Sequence, residues 1–142
     1  MILKINLKQI GERKQKIAPI DFEYNPAPKT VRELICQTVT SCVASYNERV
    51  RAGEGNASPL SREAINDMAS IGKIAFGITY NNKKQDVNKA VENALQAFED
   101  GIYRIFLNDN ELEKLEDSID AKENDSLTFI RLTMLAIVSS DL

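Results

Sequence analysis

Two apolar-polar stretches near the C-terminal end constrain the fold most. The first is Tyr103-Arg104-Ile105-Phe106-Leu107, followed by Asn108-Asp109 and the return Glu111-Leu112. The second is Ser126-Leu127-Thr128-Phe129-Ile130-Arg131-Leu132, with a strand-like pattern to about Leu135. Alternation with period two marks strands with one buried face. Both stretches are rich in β-branched and aromatic residues, so they read as paired strands of one sheet. In the first, Ile105 and Leu107 face the core and Phe106 faces outward; in the second, Leu127 and Phe129 face inward and Ile130 outward.

The N-terminal end repeats the signal. Leu3, Ile5 and Leu7 alternate with Lys4, Asn6 and Lys8, and Ile20, Phe22 and Tyr24 alternate with Asp21 and Glu23. The polar stretch Gly11-Glu12-Arg13-Lys14-Gln15 between them predicts a hairpin. Pro19 places its segment at a sheet edge or a bulge, because proline cannot donate to the ladder. Asp21 and Glu23 are expected to meet Lys4 or Lys8 across the hairpin.

Helices occupy the middle. Pro26-Ala27-Pro28 stops the strand, and Thr30-Val31-Arg32-Glu33 is a capping box. The stripe Val31, Leu34, Ile35, Val39, Cys42, Val43, Tyr46 and Val50 predicts a helix to about Arg51. A second helix is expected from Ser61, with Ile65, Met68, Ala69, Gly72, Ala75 and Phe76 on one face, then a loop from Gly77 to Gln85 with room for a short strand at Ile78-Thr79-Tyr80. Asp86 caps a third helix, striped by Val87, Ala90, Val91, Ala94, Leu95 and Phe98, and Gly101 supplies a left-handed exit. Leu115 and Ile119 are apolar anchors in an otherwise acidic loop.

Composition narrows the chemistry. With 142 residues the chain suits a single domain, expected over 1–142. The net charge of -3 gives no bulk reason to bind nucleic acid or an anionic membrane. Charge is uneven: Lys4, Lys8, Arg13, Lys14 and Lys16 lie early, while Asp109 to Asp125 is acidic. Two solvated loops of opposite sign explain this, and so would head-to-tail self-contact or an acidic docking edge. No apolar run approaches a membrane span, and the alternating N-terminus is unlike a signal peptide. Cys36 and Cys42 fall on different faces of one helix and read as buried free thiols, which points to a reducing cytoplasm.

The sequence has no histidine, which removes the commonest general base and metal ligand. Gly53-Glu54-Gly55 lacks the spacing and lysine of a phosphate loop. The acidic segment lacks the ligand order of a calcium loop. The expectation is therefore no enzyme, no metal and no cofactor.

The order of hairpin, capped helix, strand, short strand, irregular loop and strand resembles the ubiquitin-like β-grasp fold. The residues that carry the resemblance are Pro26 through Leu34, Arg104-Ile105-Phe106-Leu107 with Leu112, and Ser126 through Leu132. It covers the first and last thirds of the chain. The expected class is α+β, a ubiquitin-like β-grasp mixed sheet with a helical insertion, about 53–101, between the first helix and the third strand. The chain also looks like a group of small bacterial proteins with no assigned role, around Gly72-Lys73-Ile74-Ala75-Phe76-Gly77 and Leu127 to Ala136. The end Ser139-Ser140-Asp141-Leu142 departs from the diglycine tail of conjugated ubiquitin relatives, so the resemblance implies no conjugation.

Ubiquitin-like domains often bind partners through a small apolar patch on the open sheet face. That implies a partner-binding set of Phe106, Ile130, Ile10 and Arg104, with Thr128 beside it. The opposing expectation is that the inserted helices or the tail from Leu135 to Val138 cover this face as a second core. The leading expectation is a non-catalytic adaptor that docks on a protein partner or on itself. The alternatives are a structural homo-oligomer, or an enzyme or small-ligand binder with a pocket lined by Tyr80, Asn81, Lys83 and Arg104 between the inserted helices and the sheet.

Overall fold

The computed structural model describes residues 1–9, 19–52, 71–72, 75–78 and 85–131. Two strands precede the helices and three follow them, as the apolar periods demand: β1 (Ile2–Gln9), β2 (Ile20–Glu23), α1 (Val31–Ala52), α2 (Val87–Glu99), β3 (Tyr103–Leu107), β4 (Asn110–Leu112) and β5 (Ser126–Arg131). Residues 71–72 and 75–76 are also helical. The class is α+β, with one mixed sheet.

The strand order is β2-β1-β5-β3-β4. β1 and β2 pair antiparallel, with Leu3 opposite Phe22 and Lys4 opposite Asp21. β1 and β5 are parallel, with Leu7 opposite Phe129 and Lys8 opposite Ile130. β5 and β3 are antiparallel, as are β3 and β4. The two ends of the chain thus form the centre of the sheet, an arrangement compatible with a β-grasp. A parallel pair needs a long crossover, and the segment that carries the helices supplies it.

Alternation in the sequence becomes sidedness in the sheet. Leu3, Ile5, Leu7, Phe22, Leu127, Phe129, Tyr103, Ile105 and Leu107 are buried on one face. They share a single core with Val31, Leu34, Ile35, Val39, Cys42 and Val43 of α1 and with Ala94 and Phe98 of α2. Each large side chain so buried contributes roughly 1.5–3 kcal/mol relative to exposure. Ile71, Ala75 and Phe76 join the same core, and Phe76 stacks edge-on against Tyr103 and Phe129 at 5.3 and 5.4 Å between ring centroids.

The helix start at Thr30 is held more thoroughly than its sequence announces. The Glu33 amide donates to Thr30 Oγ1 at 3.2 Å, as a capping box requires. The Glu33 carboxylate reaches the Lys29 amide at 3.4 Å, one residue before the cap. Two further free amides are taken by the acidic loop: Val31 N donates to Asp117 O and Arg32 N to Leu115 O. Leu115 is buried and Ile119 half-buried against the core, so the loop is anchored as its apolar residues suggest.

Several local expectations need adjustment. β4 begins at Asn110, one residue before the return expected at Glu111. Ile78 lies outside any strand, and its amide donates to Gly72 O. Both thiols are free, but only Cys42 is buried; Cys36 is half-buried because it lies off the buried stripe of α1. The expected hairpin turn, the helix start at Ser61, Thr79-Tyr80 and the end of the last strand at Leu135 lie outside the described residues.

Candidate functional site: the outer face of the sheet

Strand alternation leaves one face of the sheet pointing away from the helices. It carries Lys4, Asn6 and Lys8 from β1, Ser126, Thr128 and Ile130 from β5, Arg104 and Phe106 from β3, and Glu111 from β4. Phe106 sits opposite Thr128, and Arg104 sits opposite Ile130. Phe106 and Ile130 are therefore diagonal neighbours on adjacent strands, within reach of each other for side chains of this length. Both are half-buried, whereas Ile105, Leu107 and Phe129 beside them belong to the core.

Polar groups surround this apolar pair. Arg104 is exposed and its Nε lies 4.0 Å from Glu111, which stands opposite Phe106. Lys4 pairs with Asp21 at 2.6 Å across the hairpin, as the strand pattern predicts; Glu23 pairs with the amino group of Met1 instead. Such exposed pairs contribute about 0–1 kcal/mol. Beside the apolar pair lies a shallow polar depression of about 370 Å³, formed by Asn6, Lys8, Ser126, Thr128, Asn108 and Asp109. The turn that supplies Asn108 is locked in place: Asn108 has φ of 54° and its Oδ1 accepts from the Ser126 amide at 3.1 Å.

The sequence places three of its four candidate residues on this face. Phe106, Ile130 and Arg104 come together; Ile10 lies outside the described residues. The pocket set does not assemble in what is described: Tyr80, Asn81 and Lys83 lie outside it, and Arg104 projects from the sheet face away from the helices. A cleft of about 320 Å³ does exist between residues 76–78 and the start of α2, lined by Gln85, Asp86, Lys89 and Asn93 among others. Its Asp86 serves as the helix cap, accepting from the Asn88 and Lys89 amides. Asn47 braces it from α1 by a paired amide bond to the backbone of Gln85, at 2.7 and 3.1 Å.

The resolved electrostatic shifts fall on three core groups and on the half-buried Cys36, and all favour the neutral form. Burial raises Tyr24, Tyr103 and Cys42 far above their ordinary values. Burial also raises Cys36, opposed by the nearby Arg32 and reinforced by Glu33. A raised thiol is a weaker nucleophile at neutral pH. Among the described residues no group of three or more acidic or cysteine side chains is placed to hold a metal ion, and no helix is long and apolar enough to cross a membrane.

Compared with protein families, with curated proteins and with solved structures, the chain matches none.

Proposed function

We propose that the chain is a ubiquitin-like β-grasp domain, spanning 1–142 with its helical insertion at about 53–101, that works as a non-catalytic docking module. The sheet order β2-β1-β5-β3-β4, with β1 parallel to β5, supports that fold reading. The observation that carries the function is the pairing of half-buried Phe106 and Ile130 on the face opposite the two named helices. A half-buried apolar pair framed by Arg104, Lys8 and Thr128 is the chemistry of a protein contact: a greasy centre with a polar rim. The partner is another protein or a second copy of the chain, with no role for nucleic acid, membrane or cofactor, and the setting is the bacterial cytoplasm.

The test is affinity capture from the source cell with the wild type, with Phe106→Asp and with Thr40→Asp on the exposed side of α1. The reading expects a protein retained by the wild type and by Thr40→Asp and lost with Phe106→Asp. Equal capture by all three removes this face from the account. Light scattering on the purified chain separates self-association from a different partner.

A further inference from the structure

The sheet ends at β4, which among the described residues pairs only with β3. Its register with β3 places Leu107 opposite Asn110 as the pair that closes the two-residue turn. By that register the N–H and C=O of Glu111 point away from β3, toward the open edge. Between this edge and the C-terminal end of α2 runs a groove of about 310 Å³. Its floor is apolar: the half-buried Leu112, with the buried core residues Phe98 and Tyr103 beneath it. Its rim is acidic: Glu99, Glu111 and Glu113, against the one cation Arg104.

Two features make the electrostatics one-sided. α2 has no basic residue in its last turn, so the negative end of its dipole is not offset there. The side chains of Glu99 and Glu113 are exposed and make no hydrogen bond or ion pair among the described residues. We propose that this groove binds an extended cationic segment of another protein, laid along β4 as an added strand, with apolar side chains on the floor and Lys or Arg at the rim. A second copy joined β4 to β4 is disfavoured by the same charges, because it would set carboxylates against carboxylates across the seam. This surface shares Arg104 and Glu111 with the rim of the outer face but contains neither Phe106 nor Ile130, so Phe106→Asp and the Glu99/Glu113 variant test the two independently.

The probe is an alternating lysine–valine pentapeptide, blocked at both ends, titrated into the labelled full chain and followed by amide NMR shifts. The matching glutamate–valine peptide is the control. The proposal expects saturable shifts confined to residues 98–104 and 110–113 with the cationic peptide only. It expects affinity to fall roughly tenfold in Glu99→Lys/Glu113→Lys, whose exposed positions spare the core, and to be unchanged in Phe106→Asp. No saturable shift, equal response to the anionic peptide, or full binding by the double variant would overturn it.

Discussion

The guanidinium of Arg131 lies directly over the α-carbon of Gly77. A methyl group at Gly77 would meet Arg131 Nη2 at 2.6 Å, and the residue has φ of +68°. Arg131 is on the inner face of β5, next after Phe129, and its Nη1 points to Ala75 O at 3.5 Å. A cation there also favours the carbonyl end of the helical residues before Gly77.

Gly77→Ala is therefore expected to lose about 1–2 kcal/mol from backbone conformation alone, with more from displacing the guanidinium. Urea denaturation measures it. In an Arg131→Ala background the steric part disappears and the loss shrinks to the backbone part. Equal losses in the two backgrounds would show that the contact is not formed.

A buried relay of hydroxyls ties Tyr24, the residue after β2, to α1. Thr38 Oγ1 donates to Leu34 O at 2.7 Å, so the hydrogen of Tyr24 Oη faces Thr38 at 2.6 Å. Tyr24→Phe should cost about 1 kcal/mol, the net worth of one such bond. Thr38→Val should cost more, about 1–3 kcal/mol, because it strands the Tyr24 hydroxyl in the core. The double variant should cost less than the sum. Additivity in the thermodynamic cycle would contradict the relay.

Alkali should unfold the protein early. Burial raises Tyr24, Tyr103 and Cys42 in the folded state, whereas the unfolded chain titrates tyrosine near 10 and cysteine near 8.5. Above those values the unfolded state has released protons that the folded state still holds, so stability falls as pH rises. The contribution is complete below about pH 8 and declines from there upward. Urea midpoints against pH should show this slope, and Cys42→Ala with Tyr103→Phe should flatten it. A midpoint unchanged to about pH 11 would contradict the burial of these groups.

Much of this architecture is legible in the sequence because it depends on short periods. Alternation alone assigns Ile105 and Leu107 inward and Phe106 outward, and the structure agrees. The Asp86 cap and the positive φ of Gly101 are equally local signals. What the residues do not announce is contact between distant segments. Nothing local singles out Arg131, yet it covers Gly77 from 54 positions away in sequence, a separation no local pattern reports. The capping of Val31 and Arg32 by carbonyls of the acidic loop is hidden for the same reason: backbone acceptors leave no mark on side-chain identity. Cys36 and Cys42 read as buried thiols on different faces of one helix; only Cys42, which lies in the apolar stripe, is buried, because six residues turn Cys36 off that stripe.

Everything proposed for the outer face depends on β1 and β5 lying side by side in parallel at the middle of the sheet. Through-space proton NMR contacts along that seam test this most directly. The account predicts contacts that climb together, linking Lys4 to Ser126, Asn6 to Thr128 and Lys8 to Ile130. Contacts running in the opposite sense, or β1 contacts that skip β5 for β3, would contradict it.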